Sequence, residues 1–461
     1  VTGTDEHGKK VSDSAKQSGK PLKEFVDEMS KKFKEAWKLL NIEPDRFIRT
    51  TDKDHEKVVN EFVKKCDKAK DIYKGEYKGL YCFGCERYYT EKDLVNGECS
   101  FHPGNKVNNI KEETYFFRLS KYQKFLLDLY KRHPEFILPS ERRNEVINRV
   151  KEGLKDLSIT RMNFEWGIPF IFDKKHVLYV WFEALISYYT ATREKGREKF
   201  WGKPTVHLLG KDNTWFHCVI WPAMLKSAGI ELPNSVFNHG FLVFNGQKIS
   251  KSLGNVISPK VLVEKYGADS IRYFVCRQFP FASGEDGDFS EKALIDRHNN
   301  ELADKLGNLV SRVSTLVEKN GMAPESVPRD ISGEMSTRGK KYENKLIKKL
   351  NLKKIEKHFE NYELDKSLNE IFGFIDECNE YVQHKKPWET NDKKVLYEVA
   401  DSIKAIAILL WPFIPETSEK IAKQFGFKID FNEIKKPLNE KNKIKKSEIL
   451  FKKYEKLNKS R

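Results

Sequence analysis

Between Tyr81 and His102 the chain carries Cys82 and Cys85 and then, after a gap of thirteen residues, Cys99 and His102. Each pair has the spacing that lets one tight turn bite a metal ion with two side chains. Two such turns close a tetrahedral Cys3His set, which forces these stretches together whatever the rest of the sequence does. With all four positions held by protein, none is open for a substrate, so the expected ion is one structural zinc, Zn2+, per chain. A redox Cys-x-x-Cys is the competing reading of the first pair. Cys66, Cys218, Cys276 and Cys378 sit singly among apolar neighbours and read as buried free thiols. Seven cysteines in 461 residues are too few for a disulfide-stapled secreted module and fit a reducing, cytoplasmic setting.

A chain of this length exceeds one ordinary domain and is expected to split into roughly two to four. At 39% hydrophobic and 12% aromatic residues it can bury real cores. No apolar run approaches membrane-spanning length, so no membrane partner is expected. The formal charge of +16 favours a polyanionic partner without identifying one. No signal or transit peptide is visible, and the chain begins at Val1 rather than Met, so its natural N-terminus is expected upstream.

Val1–Gly8, VTGTDEHG, reads as a strand running into a turn, where ligands sit in α/β sheets. A simple helix cap is the lesser, structural alternative for Asp5 there. Phe25, Met29, Phe33, Trp37 and Leu40 recur at helical spacing and are expected to be core. After a helix near Lys53–Ile72 and the cysteine-bearing stretch, an α/β pattern returns at Val177. Thr205–Asp212, TVHLLGKD, is a strand closing on glycine, with a carboxylate placed to accept ribose hydroxyls. Pro222 is expected to kink the next helix.

The stretch His239–Asn255, HGFLVFNGQKISKSLGN, holds an apolar strand, an Asn245-Gly246 turn of type I′ chemistry, and a returning arm with Lys248, Ser250, Lys251 and Ser252. Two lysines three apart on a glycine-flanked loop can reach phosphates; a solvated basic turn is the plainer reading. Short helices at Pro259–Tyr266 and Asp269–Phe274 and a hinge at Gly284–Ser290 are expected next. Leu302, Leu306, Leu309, Val313 and Leu316 then step four-three-four-three, the seam of a helical bundle. The tail from Phe431 has eleven basic and four acidic side chains, and packing back on the body or a solvated tail are equally open.

KISKS resembles the KMSKS signature of class I aminoacyl-tRNA synthetases, with Ile249 in the methionine slot. The hairpin before it, GADSIRYF at Gly267–Phe274, TGTDEHG at Thr2–Gly8, and the segments ETYFFRLSKY and GLKDLSITR are similar to methionyl-tRNA synthetases in particular. The likeness reaches from Thr2 to Trp388 and implies a Rossmann-like α/β nucleotide-binding fold with a zinc-bearing connective insertion of the one-knuckle type, followed by an all-α anticodon-binding bundle. The implied limits are 1–70 and 176–240 for the two parts of the catalytic domain, 71–175 for the insertion, 241–292 for the KMSKS region, 293–430 for the bundle and 431–461 for a basic tail.

The resemblance implies ATP-dependent activation of L-methionine and its transfer to the 3′ end of tRNA(Met), with Mg2+ accompanying ATP. Asp5, paired with Arg161, would hold the methionine amino group, and Trp181, Leu185, Tyr188 and His217 its thioether. Leu185 stands where some family members have proline, a change that keeps the wall apolar. Gly210 and Asp212 would hold the ribose. Lys248, Ser250, Lys251 and Ser252 would form the phosphate-handling loop, with Lys251 the direct ATP contact. Asn308, Arg312 and Trp388 match anticodon readers, and a monomer is expected because no appended dimerisation domain is visible.

One departure concerns the His-Ile-Gly-His signature, which the family carries upstream of TGTDEHG and which occurs nowhere in this sequence. The expectation is that Val1 marks a truncation, and that the fragment is inactive or nearly so while the full-length product is an enzyme. Leucine, isoleucine and valine enzymes share KMSKS but carry a much larger editing insertion. A non-catalytic, zinc-containing tRNA-binding protein derived from a synthetase is the alternative from another class.

Overall fold

The computed structural model describes residues 1–82, 87–89, 94–99, 107–162, 164–202, 205–244, 247–248, 258–323, 344–446 and 448–455. The chain divides into two compact units, Val1–Lys38 with Ile42–His239, and Leu39–Asn41 with Gly240–Arg461.

Short parallel strands set the α/β character of the first unit. Thr2–Thr4 runs parallel to Phe47–Arg49, with Gly3 opposite Ile48. The two backbones approach so closely that a Cβ on Gly3 would lie 1.8 Å from the Ile48 carbonyl oxygen, a contact only glycine avoids. In a second parallel sheet Val206–Gly210 pairs with Ser235–His239, which pairs in turn with Ile137–Leu138. The central strand is covered on both faces, with Val236, Phe237 and Asn238 all buried, whereas the Val206–Gly210 strand buries His207 and Leu209 on one face and leaves Leu208 exposed on the other. The Lys53–Lys68 helix buries Val58, Val59, Phe62, Val63 and Cys66 at helical spacing, and Phe62 stacks on Trp221 with centroids 5.8 Å apart.

Phe216–Ile220 winds as a π-turn into the Trp221–Ser227 helix. Pro222 has no N–H for the Cys218 carbonyl four residues back, so that oxygen accepts from the Tyr130 hydroxyl at 2.6 Å instead. The Tyr130→Phe variant is expected to strand this buried carbonyl and lower stability by about 1–3 kcal/mol. Chemical denaturation reads the loss, and an unchanged midpoint would refute the accounting.

The stretch expected to be an insertion is built on a long hairpin. Ile72–Cys82 pairs antiparallel with Asn108–Phe117 over ten residue pairs, from Ile72 opposite Phe117 to Tyr81 opposite Asn108. Leu157–Ser158 adds a further strand beside Phe116 and Phe117.

The Leu22–Leu39 helix departs from expectation. Val26 and Ser30 are its buried residues; Phe25, Met29 and Trp37 are only partly covered, and Phe33 is 50% exposed. Spacing identified the helix, but the face that packs is turned by one residue.

In the second unit Leu242–Phe244 and Gln247–Lys248 pair antiparallel with Phe244 opposite Gln247, the register of a two-residue turn. Gly287–Phe289 lies parallel to Leu242–Phe244, so the segment expected to be a hinge supplies a strand. Asp286 and Gly287 anchor it to Phe241 through bonds of 2.7 and 2.9 Å, and Phe289 is buried beside Phe244 and Phe274. Ser290 then caps the Glu291–Arg297 helix by accepting from the Ala293 N–H.

Helices dominate beyond Glu291. His298–Gly307, wound as a π-helix, runs into Asn308–Asn320. Leu302, Leu306, Leu309 and Val313 are fully buried and Leu316 partly, so the apolar step is the seam. The Lys393–Leu410 helix lies in the same core, buried along nearly its whole length. The tail packs back: Asn299 exchanges two hydrogen bonds with the Tyr454 backbone, His298 Nε2 meets the Lys452 carbonyl at 2.9 Å, and Phe451 is buried.

Candidate active site

Where the parallel strands of the first unit end, Asp5, Gly210 and His239 meet at a cavity of about 450 Å³. Trp181, Leu185, Tyr188 and His217 line it as well, so six of the sequence-derived site residues share one cavity although they come from separate elements. Trp181 lies flat on Phe216, with centroids 4.2 Å apart and planes 11° from parallel, which fixes its ring.

Hydrogen bonding fixes the His217 tautomer. Nδ1 lies 3.0 Å from the Asn213 carbonyl, which can only accept, so Nδ1 carries the proton. Nε2 therefore accepts from the Tyr188 hydroxyl at 2.8 Å. Burial pushes the His217 pKa down to about 4, so the ring is neutral near pH 7. Burial, reinforced by the charge of Asp5, pushes Tyr188 up to about 12, keeping its proton available for that bond. Behind this pair, His207 lies 4.4 Å from the Tyr188 ring and accepts at Nε2 from the Trp221 N–H. Burial, with the nearby His217, holds His207 down to about 3.

The loop that carries Asp5 is pinned by its neighbours. Glu6 takes two bonds from Arg49, at 2.6 and 2.8 Å, and one each from Thr4 and Thr51. Its carbonyl accepts from Trp166 Nε1 at 2.6 Å and its N–H donates to Thr50 Oγ1. His7 Nδ1 meets Glu183 Oε1 at 2.8 Å, and His55 Nε2 meets Glu183 Oε2 at 2.9 Å. Burial alone would raise the Glu183 pKa, but the bonds from His55 and His7 outweigh it and hold the carboxylate below its usual range. Sequence reasoning passed over Glu6, His7, His55, Glu183, Asn213 and His239. The available signals were the rest of the TGTDEHG stretch and a glutamate inside the apolar run VWFEALI.

Two expected residues are not on the cavity lining. Arg161 donates to the Thr160 carbonyl at 2.7 Å and to Ser158 Oγ at 3.0 Å, with its guanidinium 4.3 Å over the Tyr179 ring. Asp212 is exposed in the Lys211–Asn213 turn that follows Gly210. Lys248 is described through its backbone, paired with Val243, and Ser250, Lys251 and Ser252 lie outside the described residues.

Cys82 and Cys99 are both buried and share a small cluster with Leu94 and Val107, while Cys85 and His102 lie outside the described residues. A different group, Glu113, Asp173 and His176, has metal-ligand atoms close together. The Lys74 ammonium stands 2.8 Å from Glu113 Oε1 and 3.6 Å from Asp173 Oδ2, so a resident cation already serves it. In the second unit, Arg312 lies 5.8 Å over the exposed ring of Trp388, and Asn308 is exposed one turn before Arg312.

A family model described as tRNA synthetases class I (M) matches residues 1–106 and 92–314, and one described as the anticodon-binding domain of tRNA ligase matches 345–460. A methionine–tRNA ligase of Caldanaerobacter subterraneus subsp. tengcongensis is 42% identical over 98% of this chain and 72% of its own length. That of Thermotoga maritima is 43% identical over 93% of this chain and 69% of its own. The Mycobacterium tuberculosis methionyl-tRNA synthetase, solved with bound methionyl-adenylate, is similar with a TM-score of 0.89 and 34% identity, covering 98% of this chain and 91% of that one. A class I catalytic fold followed by a helical anticodon-binding domain, with this degree of identity along nearly the whole chain, means that the chain belongs to the methionine–tRNA ligases, class I aminoacyl-tRNA synthetases.

Proposed function

We propose that the cavity of the first unit binds L-methionine and that the residues gathered there position it for attack on ATP. The observation that carries this reading is the shared cavity of Asp5, Trp181, Leu185, Tyr188 and His217. Asp5 receives the amino group, and Trp181, Leu185 and Tyr188 wall a slot for the thioether, a soft group that packs well on aromatic edges. With Tyr188 donating to His217, both polar tips are occupied by each other and the slot presents mainly ring surface to the side chain. Arg161, which is not on this lining, pairs with Asp5 in this reading, and it also donates to the Ser158 and Thr160 carbonyls.

The methionine carboxylate attacks the α-phosphate of ATP, pyrophosphate leaves, and methionine then passes to the terminal ribose of tRNA(Met). Positioning and charge stabilisation supply the rate, with no covalent enzyme intermediate. Gly210, at the cavity edge, and Asp212 after it hold the ribose; Lys248, Ser250, Lys251 and Ser252 meet the phosphates, accompanied by Mg2+. Cys82, Cys85, Cys99 and His102 hold a structural Zn2+, a reading supported by two buried thiols in one cluster. Asn308, Arg312 and Trp388 read the anticodon, supported by a guanidinium that already lies over an exposed indole. The expected limits at 70, 175, 240, 292 and 430, a monomer and a cytoplasmic location belong to the same proposal. No helix among the described residues is long and apolar enough to cross a membrane.

Calorimetric titration of the chain with methionine, leucine and cysteine tests the pocket. One methionine is expected per chain, with leucine and cysteine roughly 10–200-fold weaker, the range a shape mismatch in an apolar slot can give. Equal affinity for leucine, or no saturable methionine binding, would sink the reading.

A further inference from the structure

We infer that the buried bridge His7–Glu183–His55 is a positioning device that sets the distance between the two walls of the methionine cavity. This rests on the proposed reading of that cavity. One wall ends in Asp5, two residues before His7, and the other carries Trp181 and Leu185, each two residues from Glu183. Two residues along a helix is more than half a turn, so Glu183 faces away from the cavity while its neighbours face in. Its carboxylate is wholly buried, as is His55, and His7 is nearly so.

Each carboxylate oxygen takes a different histidine: Oε1 meets His7 Nδ1 at 2.8 Å and Oε2 meets His55 Nε2 at 2.9 Å. Carboxylate oxygens only accept, so both ring atoms carry protons and the rings are locked in orientation. His55 Nδ1 lies 3.0 Å from Thr190 Oγ1, which ties the bridge to the Ser187–Thr190 helix that also holds Tyr188. The Asp5 loop, the Trp181 helix and the Tyr188 helix thus converge on one carboxylate. Burying that charge costs several kcal/mol that an apolar side chain would avoid. What the charge adds is direction: an apolar contact tolerates sliding, whereas two charge-assisted hydrogen bonds fix where each partner sits. Glu6 holds the same loop from its other side through Arg49, leaving the backbone after Asp5 little freedom.

The test measures methionine affinity of the folded chain by calorimetry, beside its melting midpoint. His7→Ala removes the donor and is expected to weaken methionine binding about tenfold, roughly 1.4 kcal/mol. His7→Asn places an amide N–H where Nδ1–H stands and is expected to return affinity to within about threefold of the parent. Should His7→Ala fail to fold, Glu183→Gln, which keeps the volume but loses the charge, is expected to show a similar loss of about tenfold. A purely structural role would shift melting midpoints and leave methionine affinity at the parent value, which would overturn the inference. So would His7→Asn binding as poorly as His7→Ala. Asp5→Asn is measured in parallel: loss there without loss in His7→Ala refutes the bridge alone, whereas no loss in either refutes the cavity reading beneath it.

Discussion

Asp5→Asn is expected to weaken L-methionine binding on the order of 100-fold while leaving the melting midpoint close to that of the parent. Asparagine keeps the shape and an acceptor oxygen but removes the charge, so an ammonium covered by the pocket loses its counter-ion. Truncating one member of a desolvated charge pair costs about 2–5 kcal/mol. The low end applies here because Asp5 is solvent-exposed in the ligand-free cavity; about 3 kcal/mol corresponds to roughly two decades of affinity. Exposure is also why folding should hardly notice the change. An analogue of methionine lacking the α-amino group makes the argument specific: it should bind parent and variant alike, because the lost interaction is absent in both. If the analogue distinguishes the two proteins as strongly as methionine does, Asp5 acts on something other than the amino group.

How much of this was legible beforehand depends on what kind of signal each residue carries. Asp5 and Gly210 stand where strands end, whereas Trp181, Leu185, Tyr188 and His217 were named only through the family resemblance; the fold brings all six to one cavity. Periodicity alone reached the bundle seam, because Leu302 to Val313 depends only on which side of a helix is apolar. It misjudged Phe33, since amphipathic spacing cannot tell a face that packs from one a residue away. Gly287–Phe289 was read as a hinge because glycine and aspartate dominate it. Its place beside Leu242–Phe244 is a long-range pairing, and a Cβ on Gly287 would sit 1.7 Å from the Phe279 ring, so the glycine serves close packing rather than a turn.

Glu183 was missed for a related reason. A charged residue within VWFEALI can be buried only if partners arrive from elsewhere, and His7 and His55 lie 176 and 128 residues away in sequence. The tail was open either way on composition, and the reciprocal bonds between Asn299 and Tyr454 that hold it down involve two residues with no motif of their own.

Acidification is expected to destabilise the first unit through His207 and His217, before its carboxylates matter. Both rings are buried neutral, His207 pushed down to about 3 and His217 to about 4, against about 6.5 when exposed. The unfolded chain therefore takes up two protons that the folded one refuses, so their contribution is fully present above about pH 6.5 and is lost as pH falls toward 4 and 3. For His207 alone the linkage amounts to about 3 kcal/mol by pH 4.

His207→Gln isolates it. The glutamine oxygen can accept from Trp221 Nε1 as Nε2 does, so the bond at 3.2 Å has a replacement while the titrating group is gone. Urea unfolding at a series of pH values, followed by tryptophan fluorescence, reads chiefly this unit, which holds six of the eight tryptophans. Between pH 7 and 4 the parent should lose about 3 kcal/mol more than the variant, in the direction of lower stability at lower pH. Parallel pH profiles for the two proteins would mean that His207 is protonated, or solvated, in the folded state.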